Sequence, residues 1–295
     1  MITVKKPSSP AEIRQSVRHV LFVEGSDQDA IDPMALSYLL EEQIRVEPLG
    51  ASYHIRSAAE GLYKYHPDYY FLIDRDHYDD EYVNKCWNNF PDTETPNLII
   101  WRRREIENYF LIPEYITKSR FISASHEQIF ATIIRLCNER LYLDTANHVI
   151  ISIREDLKRN WIQLFTNPLE FKNKESAFTR LTEAGEFLSH KKVVSKTVHK
   201  KEIIKRFEKV LADMTGGKDA IEHGYGKWIE MIRGKKVLSS IVGNCFQVKD
   251  ARGTTLQGKE KLNEIVKELL KKPLSEQPDD FQNLHKLIIS RIKSV

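Results

Sequence analysis

No apolar run in the sequence approaches the ~20 residues that a membrane-crossing helix needs, and its opening, MITVKKPSSP, lacks the apolar centre of a secretory leader. Both absences predict a cytoplasmic chain with no membrane partner. Cysteine is scarce. Cys86, Cys137 and Cys245 lie far apart, are odd in number and never form a C-x-x-C pair, which argues against a disulfide framework and a cysteine zinc site. They read as small buried hydrophobes. The sequence has no G-x-x-x-x-G-K-[ST] loop either, since MTGGKDA places Asp219 where that loop needs Ser or Thr. Excess charge is slight: a net +3 and a pI near 8.5 permit nucleic-acid binding but fall short of the footprint of a dedicated binder.

What is present suits a two-domain globular protein. The 295 residues are 41% hydrophobic and 29% charged, enough apolar material for a sizeable core and too polar for a membrane protein. Short apolar, β-rich runs alternate with amphipathic stretches in the first part, the pattern of an α/β fold with a parallel sheet. The runs are HVLFVE (19–24), IRVEPL (44–49), YYFLID (69–74) and NLIIW (97–101), with helices predicted near 32–42, 53–65 and 80–87. From about Pro113 onward the strand signals fade. Long stretches such as HEQIFATIIRLCNERL, KKEIIKRFEKVLADM and KEKLNEIVKELLKK repeat apolar residues at helical spacing. A boundary near residues 115 and 116 therefore separates a sheet domain from a mostly helical region.

Two of the strand-like runs end in acids: Glu24 precedes Gly25, and Asp74 is followed by Arg75 and Asp76. In an open parallel sheet ligands bind outside the carboxyl ends of the strands, so these carboxylates converge if the two strands are neighbours. Clustered carboxylates repel, and a cation relieves the repulsion. An all-oxygen donor set without His or Cys favours Mg²⁺ or Mn²⁺ over zinc. Phosphodiester cleavage suits such a site, because the metal activates water and neutralises charge developing on phosphoryl oxygens. The competing reading is that each acid caps the helix after its strand.

A third group follows the fourth run. Arg102, Arg103 and Arg104 have the chemistry for phosphate contact, while Glu105 and Glu107 are placed to reach the metal from the next strand. The alternative is a surface charge cluster with Tyr109 and Phe110 entering the core. Further along, HKKVVSKTVHKKEIIKR (190–206) is rich in Lys, including Lys200 and Lys201, with Glu202 as its one acid. It reads either as a solvated helix face or as a surface for a phosphate backbone.

In this order the motifs resemble the Toprim domain of OLD-type nucleases: V-E-G closing a strand, Gly50 near the second strand, an apolar run ending in D-x-D, then R-E-I-E-N-Y-F. The resemblance spans Arg18 to about Pro113, with an echo at WIEMIRGKKVL. It implies a Toprim-like catalytic domain over residues 1–115 and, over 116–295, a helical accessory, dimerisation or nucleic-acid-binding region. It further implies that Glu24, Asp74 and Asp76 bind metal, with Glu24 also acting in acid/base catalysis, and that Glu105 or Glu107 helps place a second ion. Lys235 or Lys236 would supply positive charge near the transition state. Relatives often carry an acid four residues after the strand-ending glutamate; this chain has Gln28 there, between Asp27 and Asp29.

The absence of a P-loop likens the chain to the stand-alone Toprim effectors of two-gene anti-phage systems, above all the AriB-type nucleases of PARIS. The resemblance then implies a separately encoded ABC-type ATPase partner, a toxic Mg²⁺-dependent endonuclease that cuts host tRNA once released, and a homodimer in the active state. DNA as substrate, a non-catalytic subunit of an ATPase complex, and a small-molecule phosphatase are the competing expectations. Topoisomerase and primase activities require a nucleophilic tyrosine on another domain or a template-binding module, and neither is evident.

Overall fold

A computed structural model describes residues 19–25, 31–76, 78–90, 96–159, 167–183 and 185–293. The sheet domain runs β1 (Val20–Val23), α1 (Ile31–Leu39), β2 (Arg45–Pro48), α2 (Ser52–Leu62), β3 (Tyr69–Ile73), α3 (Asp80–Asn88) and β4 (Leu98–Ile100). All four strands are parallel, in the order β2-β1-β3-β4. The fold class is α/β, as the alternation of apolar runs and amphipathic stretches predicts. Strands β3 and β4 are nearly continuous apolar runs because helices and loops cover both faces; Tyr70, Phe71, Leu72, Ile73, Leu98, Ile99 and Ile100 are all buried. Helix α1 turns Ile31, Ala35, Leu36 and Leu39 inward, and α3 turns in Val83 and Trp87. Asp79 starts α3 by accepting the Tyr82 amide at 2.7 Å, and Trp87 ties the helix to the sheet by donating to the Ile100 carbonyl at 2.7 Å.

After β4 come a 3₁₀ turn (Ile106–Asn108), α4 (Pro113–Ile116), α5 (His126–Arg159), α6 (Lys174–Glu183), α7 (Gly185–Thr197), α8 (Lys200–Thr215), α9 (Trp228–Met231), α10 (Gly234–Cys245), α11 (Gly258–Leu270) and α12 (Asp279–Lys293). This region is mostly helical, as predicted. Two compact units divide the chain, one reaching Leu136 and resuming at Ile229, the other Cys137–Trp228. Amphipathic spacing shows that a helix has a buried face but not which core receives it. Helices α10 and α11 thus belong with the sheet: α10 packs on the 3₁₀ turn, and α11 packs on α1 and α10. Helix α12 sends Phe281 among Trp101, Tyr109 and Phe110.

In the second unit the later turns of α5 bury Cys137, Leu141 and Val149 on one side. The Asn138 amide grips Ile221, donating to its carbonyl at 3.0 Å and accepting its N–H at 2.7 Å. Arg206 on α8 pairs with Asp156 and donates to Ser152.

Candidate functional site

Because β1 and β3 are neighbours, with Val23 in register with Leu72, the residues just past their carboxyl ends meet. The Asp74 amide donates to Glu24 Oε1 at 3.0 Å. Beyond the strands, Gly25 and Gly50 form a two-way bridge, Gly25 N–H to the Gly50 carbonyl at 3.0 Å and the reverse at 2.8 Å. Both have positive φ, 130° and 90°, so this clasp needs glycine. The bridge is antiparallel, set just beyond the parallel β1–β2 pair, and it fixes the backbone on which Glu24 stands. Asp76, at φ 43°, also sits in the left-handed region, as the chain turns sharply off β3. Arg75 between the two acids serves the fold: it donates to the Tyr78 and Arg102 carbonyls and pairs with Asp80.

The E-I-E-N turn completes the edge. Asn108, wholly buried, donates to the carbonyls of Ile229 and Ile232, each at 2.9 Å, and accepts the Glu105 amide at 3.2 Å. Gly234 presses so closely on it that a Cβ there would stand 2.3 Å from Asn108 Oδ1. Glu105 then caps α10: its Oε2 accepts the Lys235 amide at 2.9 Å, and its Oε1 lies 3.6 Å from Arg233 Nε. A segment 130 residues away in sequence is thereby bolted to the turn, and Lys235 is brought into the electrostatic field of Glu107.

The acids act on one another. Burial, together with the charges of Asp76 and Glu105, lifts the Glu24 carboxyl to about 7 against the opposing hydrogen bond from Asp74. Burial, then Glu105, lifts Glu107 to about 7, with Lys235 and Arg233 pulling the other way. Asp74 is pushed well above the ordinary carboxylate range by burial and by Asp32, Glu24, Glu107 and Glu105. Asp32 is raised likewise by burial, then by Glu107 and Glu24, against Lys235. Six carboxylates, Glu24, Asp32, Asp74, Asp76, Glu105 and Glu107, therefore share one electrostatic neighbourhood at the carboxyl end of the sheet.

Compared with protein-family models, curated proteins and solved structures, the chain matches none.

Asp32 went unnoticed in the sequence because an acid in the first turn of a helix reads as a dipole partner. The available signal was its place at the start of the helix that follows a strand ending in Glu24, which aims it at the same edge. Asp27, Gln28 and Asp29 lie outside the described residues. The three arginines are engaged in the fold. Arg102 lies over the Trp87 ring and 2.5 Å from Asp280, Arg103 lies over Tyr109, and Arg104, buried, donates to the Met231 carbonyl. Tyr109 and Phe110 are buried, and the Tyr109 hydroxyl donates to Asp280 at 2.6 Å. Lys200 and Lys201 are exposed on the first turn of α8, in the second unit.

The donor set suits a hard divalent cation: it consists of carboxylate oxygens lifted by burial and, after it, by one another's charge, and such a cation offsets both. Among the described residues no group of three or more His, Cys, Asp or Glu is drawn together so as to hold a metal ion with the side chains as they stand. Also among them, no helix is long and apolar enough to cross a membrane.

Proposed function

We propose that this chain is a Toprim-type, divalent-cation-dependent endonuclease of the OLD kind, acting as an AriB-like toxic effector that cleaves host tRNA. The observation that carries the reading is the meeting of Glu24 and Asp74 at the ends of adjacent central strands, within a six-carboxylate edge that also receives Lys235. Glu24, Asp74 and Asp76, with Asp32, Glu105 and Glu107 beside them, are the side chains that would hold Mg²⁺ or Mn²⁺. When bound, such a cation lowers the pKa of a ligated water and offsets charge on phosphoryl oxygens.

The chain's own groups have separable tasks. Glu24, at the end of β1, is the carboxylate that would hold the cation and take or give a proton beside it; its carboxyl near 7 is that of the metal-free chain. Lys235, anchored through its amide to Glu105, brings a positive charge beside that of Arg233 to the acidic edge, where it stabilises negative charge gathering on the phosphoryl group. The Gly25–Gly50 clasp and the Asn108 anchor hold these side chains on rigid backbone, so little reorganisation is needed. Exposed Lys200 and Lys201 supply phosphate-backbone contacts that position without specifying.

A homodimeric active state is supported by α5, which carries a second apolar stripe opposite its buried side. Leu143, Ala146, Ile150, Ile153 and Leu157 recur at alternating spacings of three and four, and Leu143 and Ile150 are exposed. A separately encoded ATPase partner and a cytoplasmic location belong to the same proposal, resting on the resemblance of the motifs. The second reading is a non-catalytic subunit of an ATPase complex, in which the carboxylates serve the fold alone.

Induction of the chain and of its Glu24→Ala variant in bacteria, without a partner, separates these readings. Growth arrest with discrete tRNA fragments, absent in the variant, is the expected result; nicked chromosomal DNA moves the substrate to DNA. Intact nucleic acid in both strains, with purified protein inert on tRNA and DNA across a Mg²⁺ and Mn²⁺ series, favours the binding subunit.

A further inference from the structure

A cavity of about 280 Å³ shares Glu107 and Lys235 with the carboxylate edge. Three helices give it an apolar part, Ile31 from the start of α1, Val242 from α10 and Leu262 from α11, and Ser239, Lys259 and Asn263 add polar and charged members. The acidic edge and the cavity are thus two compartments with a common boundary. The edge is rich in carboxylates; the cavity carries Lys235 and Lys259 at its lining, and apolar atoms make up most of its surface. The volume lies near the lower end of the ~300–1,000 Å³ typical of small-ligand sites, the scale of one nucleoside and not of a duplex.

The chemistry of a nucleic-acid chain matches this division. A phosphodiester presented to carboxylates and a lysine must bring its flanking nucleoside with it. Enzymes that accommodate a single base unstack it and hold it between apolar side chains while hydrogen bonds read its edge. Ile31, Val242 and Leu262 offer the apolar surfaces, and Asn263 offers a paired donor and acceptor of the sort that reads a base edge.

We propose that this cavity is a nucleoside subsite, taking the base and sugar next to the phosphate that lies toward Glu107 and Lys235. The assignment rests on the phosphodiesterase reading above and adds to it a place where an unstacked nucleotide is held, so the substrate is cut in a loop or single strand. Selectivity at the cut then arises at Ile31, Leu262 and Asn263, beside the carboxylates and not through them.

Methyl-resolved NMR of the full chain, titrated with each of the four nucleoside 5′-monophosphates, ribose 5-phosphate and inorganic phosphate, tests it without needing turnover. Saturable shifts at Ile31, Val242 and Leu262 with at least one mononucleotide, and none at these methyls with inorganic phosphate, are expected. Leu262→Trp, which fills the space, should weaken that binding by roughly tenfold or more. Asn263→Ala, which keeps the space open, should alter the ranking of the bases. Mononucleotides that leave these methyls unmoved, or that shift them no more than inorganic phosphate does, overturn the subsite. Cleavage of tRNA or DNA is scored separately: cutting without mononucleotide binding removes the subsite and leaves the nuclease reading, and binding without cutting does the reverse.

Discussion

The Asp74 amide donates to the Glu24 carboxylate across adjacent strand ends at 3.0 Å, so one side chain of the acidic edge is held by the backbone of another of its members. That hydrogen bond favours the ionised form of Glu24, yet burial and the nearby Asp76 and Glu105 outweigh it and leave the carboxyl near 7. The edge is therefore a place where the folded chain tolerates carboxylates that are both buried and mutually repelling. Removing one of its charges should relieve the fold while harming the chemistry. Asp74→Asn is expected to lower Mg²⁺-dependent cleavage by on the order of 100-fold or more, and to raise the melting temperature of the metal-free protein at pH 8. Cleavage kinetics and thermal denaturation of the same preparation check both; a metal-free variant that melts lower than the parent counts against a repulsive edge.

Stability should depend on pH with a definite sign. Glu24 and Glu107 titrate near 7 in the folded protein but near 4.5 once unfolded, so between these values the folded chain binds more protons. Their contribution is fully present below about 4.5 and is lost as pH rises through 7. The metal-free protein should lose stability over that window, with Asp32 and Asp74 adding in the same direction. Mg²⁺ competes with protons for these groups, so its stabilising effect should grow from pH 6 to pH 8 and its binding should release protons. Thermal melts across pH with and without MgCl₂, and calorimetry in buffers of different ionisation enthalpy, measure each part.

Gly234→Ala introduces a Cβ 2.3 Å from Asn108 Oδ1 and is expected to cost about 1–3 kcal/mol. Asn108→Ala frees the carbonyls of Ile229 and Ile232 and the Glu105 amide, with a cost of about the same size. Both loosen the hold on Lys235, so activity should fall at temperatures where the fold persists. Urea denaturation together with cleavage assays reads the two effects apart.

Arginine and lysine positions should separate cleanly. Arg102→Ala removes the Asp280 pair and the Trp87 stack, and should lower stability while leaving the salt dependence of nucleic-acid binding in place. Replacing both Lys200 and Lys201 with Ala should leave melting unchanged and flatten the plot of log affinity against log salt by roughly one unit for each phosphate no longer neutralised. An unchanged slope in the double variant takes α8 out of the interface.

The four strands and the first three helices were legible because each strand is a short apolar run and each helix shows its own period. The adjacency of β1 and β3 followed only once the sheet order was known. The attachment of Gly234 and Lys235 to the E-I-E-N turn depends on a buried asparagine amide and a missing Cβ, neither of which leaves a periodic trace in sequence. Asp32 looked like an ordinary helix-start acid, and Arg102, Arg103 and Arg104 looked like phosphate ligands. Charge alone does not show that a guanidinium lies over Trp87 or Tyr109, or beside the Met231 carbonyl.

Glu105 has two claimants. One carboxylate oxygen already receives the first turn of α10, and the other faces Arg233. A cation drawing on that carboxylate would loosen the helix start, and whatever pulls α10 away would return the carboxylate to the cation. By reciprocity the two equilibria must influence each other equally, so ion affinity becomes a gauge of how firmly Gly234–Cys245 is seated.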